Sequence, residues 1–273
     1  MRSHALSLAA ALLASFFADA ASAQGLIWQL PEDGTWVRYE GKYRQIVQRP
    51  NSTEGPLRLE WTRYLWIKSV GSETANHDGE NTPCRWLELK VVTGNAAAGI
   101  IEPGPGGQRI YKILVPESAI RGSTHAPIGD GRELFVAYLP IVKGYHKIGD
   151  GPVQPIEEDV FQIYPVLSLL RHYRNLESTG ETESVDTPAG AFDATRYTGS
   201  ITTETLTSRT TTSCEMLRSD SAPFGIVKWV GRAALEKKNS TEPRSAFRET
   251  NESVEEMTLQ EVGDQAEAEI LED

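Results

Sequence analysis

The chain has 273 residues, of which 24% are charged, and its formal net charge is −11 at pH 7. This acidic balance argues against nucleic acid and anionic lipid headgroups as electrostatic partners, because both would be repelled. The charge is uneven: residues 242–273 carry eleven acidic residues and two arginines, a net of −9, so the remainder is close to neutral.

The first 23 residues have the pattern of a secretory signal peptide. Arg2 supplies a positive charge, an apolar run follows over Leu6–Phe17, and Ala21–Ala23 forms a small-x-small cleavage site. The run is shorter than the ~20 residues that a membrane-spanning helix needs. We therefore expect cleavage after Ala23 and a periplasmic or extracellular mature chain without a transmembrane segment.

Beyond this leader the dominant hydrophobic period is two, which indicates strands half-buried on one face. The clearest example runs from Leu57 to Lys68, where apolar residues occupy most odd positions. Loops containing Gly and Pro, such as Gly71–Pro83, separate the segments of this kind. We expect a single all-β domain over residues 24–265, with minor α content, folded as a strongly curved, half-closed antiparallel β-barrel.

One helix is expected to cover the open side of this sheet. It begins near Pro165, a favourable first-turn residue, and runs to about Asn175 with apolar residues on one face. The last residues, Ala266–Asp273, are expected to form a flexible acidic tail.

Cys84 and Cys214 are the two cysteines of the chain. In an oxidising compartment such a pair is compatible with a disulfide, which would stabilise by about 4–5 kcal/mol in the chain-entropy model. Two buried free thiols are the alternative. Two cysteines without histidines at ligand spacing do not form a zinc site.

The sequence carries no catalytic signature. It lacks a G-x-S-x-G nucleophile elbow, and we expect neither a metal site nor a cofactor. The enzymatic alternative places His125 and His146, from two glycine-rich loops, at a metal-dependent or hydrolytic centre. Loop histidines can converge in this way, although no H-E-x-x-H or H-x-H spacing requires it.

Five aromatic residues fall on predicted strands. On a curved sheet they would line a concave apolar groove of the kind that binds lipids and other hydrophobic ligands. The alternative is that each is an ordinary core residue. The candidate ligand-binding residues are Trp61, Trp66, Trp86, Tyr111 and Trp229.

Two short motifs flank a long threonine-rich strand. Thr187–Phe192 reads TPAGAF and Ala222–Trp229 reads APFGIVKW, and in both of them Pro and Gly set a turn that leads into a strand. Over residues 186–262 the pattern resembles exported bacterial proteins, including planctomycete-type families, related to the lipoprotein-carrier (LolA/LolB-like) half-barrel group. The resemblance implies a half-closed antiparallel barrel with a helix across its open side, and non-covalent binding of lipid chains or lipidated partners.

These observations favour an exported, non-enzymatic protein that binds a hydrophobic or lipid-like ligand on the concave face of the sheet. The first alternative is a cell-envelope module for protein–protein interaction or structure, whose partner the sequence does not identify. The second is the enzyme built on the His125 and His146 loops. A concave face filled by the protein's own side chains would favour the first alternative, and convergence of the two histidines the second.

Overall fold

A computed structural model of the chain describes residues 25–50, 52–97, 100–121, 125–128, 132–135, 138–162, 166–171 and 176–271. The predicted signal peptide over residues 1–23 lies outside this part of the chain, and its cleavage after Ala23 stays a prediction. Within the described part, no helix is long and apolar enough to cross a membrane.

The described residues form fifteen strands and two short 3-10 helices, the latter at Glu117–Arg121 and Arg244–Ala246. Several strands are much longer than the ~5–6 residues typical of globular proteins, which suits an extended, curved sheet. The strands are β1 (Trp36–Val47), β2 (Leu57–His77), β3 (Glu80–Ala97), β4 (Ile100–Pro116), β5 (His125–Ile128), β6 (Arg132–Phe135), β7 (Tyr138–Pro140), β8 (Lys143–Ile148), β9 (Gln154–Pro155), β10 (Val160–Gln162), β11 (Glu177–Thr187), β12 (Gly190–Glu204), β13 (Ser208–Arg218), β14 (Ile226–Lys237) and β15 (Arg248–Gly263).

Eleven of these strands form one antiparallel sheet in the order β11-β12-β13-β14-β15-β1-β2-β3-β4-β8-β9. Two hairpin series, β1–β4 and β11–β15, are joined because the last strand pairs with the first, with Tyr39 opposite Leu259. The sheet is strongly curved and does not close into a barrel. The predicted all-β, half-closed antiparallel fold is thus confirmed. Two small two-stranded sheets, one formed by β5 and β6 and the other by β7 and β10, are separate from the large sheet.

The sheet has an inner face, which carries the main core, and an outer face. Along β2, Leu65 and Ile67 are fully buried on the inner face, whereas the alternate residues Trp66 and Lys68 belong to the outer face. Residues paired across neighbouring strands lie on the same face of the sheet, so the strand register assigns residues of the other strands to the inner or the outer face. The largest fully buried side chains of the inner core are Trp229, Tyr39, Phe224, Leu26, Ile27, Leu65, Ile67, Leu87, Leu89 and Ile113.

The segment 166–171 covers the inner face, but it is irregular and not part of a helix. Leu167, Ser168, Leu169 and Leu170 are all buried at successive positions, whereas a covering helix would bury three or four side chains in every two turns, on one face only. The prediction of a helix is therefore wrong for these residues; 165 and 172–175 lie outside the described part. A Cβ atom at Gly231 would lie only 2.8 Å from Leu169 Cβ, so the segment runs directly over β14.

A second covering segment precedes β1. Leu26 and Ile27 are fully buried, and the backbone N–H of Trp28 donates to the carbonyl oxygen of Phe224 at 3.0 Å. Together with the segment 166–171, it fills the centre of the inner face with the chain's own side chains.

The end of the chain also makes specific contacts. Ile270, which falls in the segment predicted to be a flexible acidic tail, is 1% exposed, and its N–H donates to Glu88 on β3. The mobility of the segment stays a prediction, but these contacts are not those of a freely solvated tail.

Candidate functional site

The five predicted aromatic residues do not share one face of the sheet. Tyr111 pairs with Leu89 on the inner face, and Trp61 and Trp229 belong to the same face by register. Trp66 and Trp86 belong to the outer face. A single groove lined by all five residues is therefore not formed, and their role in ligand binding stays a prediction.

Trp229 is a core residue. It is 1% exposed, and its ring lies 4.9 Å from that of Tyr39, edge to face. The Tyr39 hydroxyl donates to the carbonyl oxygen of Ile226 at 2.9 Å, and burial raises the pKa of this phenol. A ligand could reach Trp229 only if the covering segments moved.

Trp61 lies at the far end of the inner face. It is half-buried, and its ring centroid is 6.1 Å from that of Tyr43 on β1. The Arg63 guanidinium carbon stacks 4.3 Å above the Tyr43 ring, a favourable cation–π contact. Trp61 therefore lies beside an aromatic ring that contacts a guanidinium group, and these contacts do not form an apolar cavity.

Tyr111 lines a cleft at the opposite end of the inner face, which we call the Tyr111 cleft. Its volume is about 530 Å³, within the ~300–1,000 Å³ typical of small-molecule sites. The Tyr111 ring centroid lies 4.9 Å from that of Phe161 and 6.2 Å from that of His146. The cleft is lined by Tyr111, His146, Pro155, Ile156, Glu157, Glu158, Val160, Phe161 and Gln162.

The backbone explains how this cleft forms. The chain leaves the sheet after β9, where the N–H of Ile156 donates to the carbonyl oxygen of Gly144 at 2.8 Å. It then forms β10, in which Phe161 pairs with Leu139 of β7 and reaches the Tyr111 ring. The turn between them leaves Glu157 and Glu158 exposed at the mouth.

The floor of the cleft is apolar and partly desolvated. Burial raises the pKa of the Tyr111 phenol, although the neighbouring Arg109 opposes the shift. Phe161 is 5% exposed, and Val160 beside it is 39% exposed. The cleft has tilted aromatic rings at its floor and carboxylates at its mouth, which suits a ligand with an apolar body and a polar end.

The two histidines of the enzymatic alternative lie on different sheets. His146, on β8, is a wall of the Tyr111 cleft, while His125 lies on β5, with its side chain outside the described residues. Among the residues described, no three His, Cys, Asp or Glu side chains are grouped to hold a metal ion. Convergence of the two histidines stays untested.

The outer face carries aromatic rings paired with lysines. Lys90 Nζ lies 5.4 Å from the Trp66 ring centroid, and Lys112 Nζ lies 4.9 Å from that of Trp86. Tyr145 stacks on Trp86 at 6.3 Å. Alternation of side chains along β2–β4 therefore gives this face a mixed aromatic and basic character.

The predicted disulfide is wrong. Cys84 and Cys214 are both buried and are not joined by a disulfide, which was the alternative. Cys84 packs with Trp86 in the outer-face cluster, whereas Cys214 lies in the inner core. Their strands, β3 and β13, are separated by β14, β15, β1 and β2 in the sheet, so no bridge can form.

Sequence reasoning missed four buried charged residues in the described part of the chain. Glu88 and Glu255 are fully buried, Lys112 is 7% exposed and Arg63 is 8% exposed. Arg63 and Glu255 lie on the inner face, which carries the main core, whereas Glu88 lies on the outer face opposite Lys68 and Lys112. No local sequence pattern identifies these partners. Phe161 was missed because β10 is too short to show a period.

Comparison with known proteins gives distant similarities only. No protein-family profile matches the chain, and no curated protein matches it at a significant level. Among solved structures, a candidate lipoprotein from Parabacteroides distasonis is 13% identical, with a TM-score of 0.32, over 88% of this chain and 99% of that one. A candidate exported protein with a YmcC-like fold from Bacteroides fragilis is 12% identical, with a TM-score of 0.29, over 87% and 99%.

A LolA superfamily protein from Nitrosomonas europaea is 9% identical, with a TM-score of 0.22, over 91% of this chain and 92% of that one. The structural neighbours thus include the group that the two turn motifs resemble. At such low TM-scores and identities, none of these similarities establishes family membership or function.

Proposed function

We propose that this chain is an exported, non-enzymatic protein that binds a hydrophobic or lipid-like ligand in the Tyr111 cleft. The observation that carries the proposal is the apolar floor at the end of the inner face, where Tyr111 and Phe161 lie 4.9 Å apart. Burial of an acyl chain contributes about 0.8 kcal/mol per methylene, so a short segment in this cleft suffices for useful affinity.

The charges at the mouth restrict the ligand's polar end. Glu157 and Glu158 are exposed carboxylates at the rim, whereas Arg109, which hydrogen-bonds the Tyr111 hydroxyl, is not among the residues that line the cleft. A fatty carboxylate would be repelled there at low salt, whereas a neutral or cationic headgroup would not. The ligand we propose is therefore a neutral or amine-bearing amphiphile.

The test is a titration of three amphiphiles of equal chain length: a monoacylglycerol, an alkylammonium and a fatty acid, each carrying the same fluorophore. We expect the first two to bind and the fatty acid to bind about tenfold more weakly at low salt, a difference of ~1.4 kcal/mol. Replacing both rim acids, Glu157→Gln with Glu158→Gln, removes this discrimination.

Val160→Asn tests the cleft itself, because this partly exposed side chain can change without disturbing the core. We expect at least tenfold weaker binding, since apolar contact is lost where the chain would lie. Leu206→Asn is the matched control, because Leu206 is an exposed apolar residue outside the cleft. Absence of binding by all three amphiphiles, or equal binding by Val160→Asn and the wild type, refutes the proposal.

The filled centre of the inner face favours a second candidate function, a module for protein–protein interaction. Trp229 and Met257, which a concave groove would expose, are fully covered. The edge strand β11 is a poor docking site, because its acidic residues disfavour pairing with another strand. An interaction module would have to use the outer face.

A further inference from the structure

The C-terminal segment 264–271 lies across the outer face and contacts it through both backbone and side chains. The N–H of Ala266 donates to the carbonyl oxygen of Gly34 at 2.7 Å. Further on, the N–H groups of Glu269 and Ile270 both donate to Glu88 Oε2, at 2.7 and 3.0 Å. A fully buried carboxylate thus receives two consecutive backbone amides, an arrangement suited to capture of an extended peptide.

The side chain of Glu269 is held between two lysines. Its carboxylate oxygens lie 2.9 Å from Lys68 Nζ and 2.8 Å from Lys90 Nζ. Lys68 also bridges Glu88 at 2.8 Å and donates to the carbonyl oxygen of Glu267 at 3.2 Å. Lys68 therefore contacts both a carboxylate and a backbone carbonyl of the segment, and Lys90 contacts the same carboxylate.

The next residue is buried. Ile270 is 1% exposed, although the residue after it, Leu271, is 76% exposed. The surface thus holds an acid followed by an apolar residue, Glu-Ile, with paired cations at the first position and burial of the second.

A cleft of about 500 Å³ remains beside the segment. It is lined by sheet residues and by the segment itself, so the segment occupies part of a larger concave surface. Lys90 Nζ lies 5.4 Å from the Trp66 ring centroid and links the lysine pair to the aromatic wall. The lining residues are Trp36, Trp66, Lys68, Lys90, Gln265, Ala266, Glu267 and Glu269.

We propose that the outer face is a docking site for an acidic peptide segment of a partner protein, and that the chain's own C-terminal segment occupies it in cis. Residues 265–273 contain four acids and no basic residue, which complements Lys68 and Lys90. The ion pairs are partly exposed, so salt and a competing acidic peptide can displace the segment. This surface is opposite the Tyr111 cleft, and the proposal is independent of the function proposed there.

The experiment uses the full chain and a fluorescein-labelled peptide with the sequence of residues 265–273, followed by fluorescence polarisation. We expect weak binding to the wild type, because the site is occupied in cis. The double variant Glu269→Gln with Ile270→Ser weakens the cis segment, and we expect it to bind the peptide at least tenfold more tightly. Adding Lys90→Gln reverses this gain, whereas adding Lys228→Gln, an exposed lysine on β14, leaves it unchanged.

A peptide in which every Glu and Asp is replaced by Lys tests recognition against non-specific adsorption. Equal binding of this peptide, or no binding of the acidic peptide by the double variant, overturns the proposal. Hydrogen exchange of the wild type covers the case in which the double variant fails to fold. Excess acidic peptide must then accelerate exchange of the Glu269 and Ile270 amides, and unchanged exchange overturns the proposal. Amphiphile binding to the Tyr111 cleft, measured in parallel, stays unaffected in either case.

Discussion

Arg63 and Glu255 form a buried ion pair on the inner face, with Arg63 Nη1 3.5 Å from Glu255 Oε1. The other carboxylate oxygen of Glu255 accepts hydrogen bonds from the Ser168 hydroxyl, at 3.2 Å, and from the backbone N–H of Leu169. Glu255 therefore ties the irregular covering segment to β15. Because its partners come from β2 and from segment 166–171, this one carboxylate connects both halves of the sheet with their cover.

The stability of the protein should depend on pH through Glu255. Burial raises the pKa of this carboxyl above its usual 4.5, despite the opposing effects of Arg63, Leu169 and Ser168. The folded state therefore holds the proton more tightly than the unfolded state, and this group's contribution is largest below pH 4.5 and falls as pH rises through the raised pKa. We expect the free energy of unfolding of the wild type, minus that of Glu255→Gln, to fall over this range.

Urea unfolding of both proteins between pH 4 and 7 measures this difference. Glu249→Gln makes the same chemical change at an exposed position of β15 and gives the baseline. A difference that stays constant, or rises with pH, contradicts the assignment of Glu255 as a buried carboxyl of raised pKa.

The period-two pattern predicted the sheet because it depends on which side chains are buried. It worked for Leu57–Lys68, but β2 continues to His77, through residues expected to form a loop. That extension is largely exposed on both faces, so no hydrophobic period marks it. For the Tyr111 cleft, the sequence identified Tyr111 by its strand, whereas Phe161 depends on β7–β10 pairing, which no local pattern encodes.

We predict that position 231 requires glycine, because the segment 166–171 lies too close to β14 for a larger side chain. A methyl group at this position would lie 2.8 Å from Leu169 Cβ, so Gly231→Ala should destabilise the protein by about 1–3 kcal/mol through overpacking. Leu169→Gly removes the opposing atom. In a double-mutant cycle by urea unfolding we expect the two changes to cost less together than their sum, while strict additivity would show that the segment does not lie on Gly231.

The two cysteines should behave as unlinked, protected thiols. Burial raises the pKa of the Cys84 thiol, which slows its alkylation in the folded protein. Without reductant, we expect iodoacetamide to modify both residues only after denaturation, and the melting temperature to be the same with and without dithiothreitol. Mass spectrometry measures the extent of alkylation. A denatured protein that resists alkylation until it is reduced would show that Cys84 and Cys214 are bridged.

Trp229 and Trp61 share the inner face but should differ in their contribution to stability. Trp229 is 1% exposed and packs edge to face on Tyr39, so Trp229→Ala should cost about 3–5 kcal/mol. Among the described residues Trp229 Nε1 has no hydrogen-bond partner, and Trp229→Phe therefore loses volume but no observed hydrogen bond and should cost clearly less. Trp61→Ala, at a half-buried position, is the control, and we expect it to be milder than Trp229→Ala. Guanidinium unfolding of the three variants provides the measurement. If Trp229→Ala proves as mild as Trp61→Ala, the centre of the inner face is not filled as described, and a ligand could occupy it.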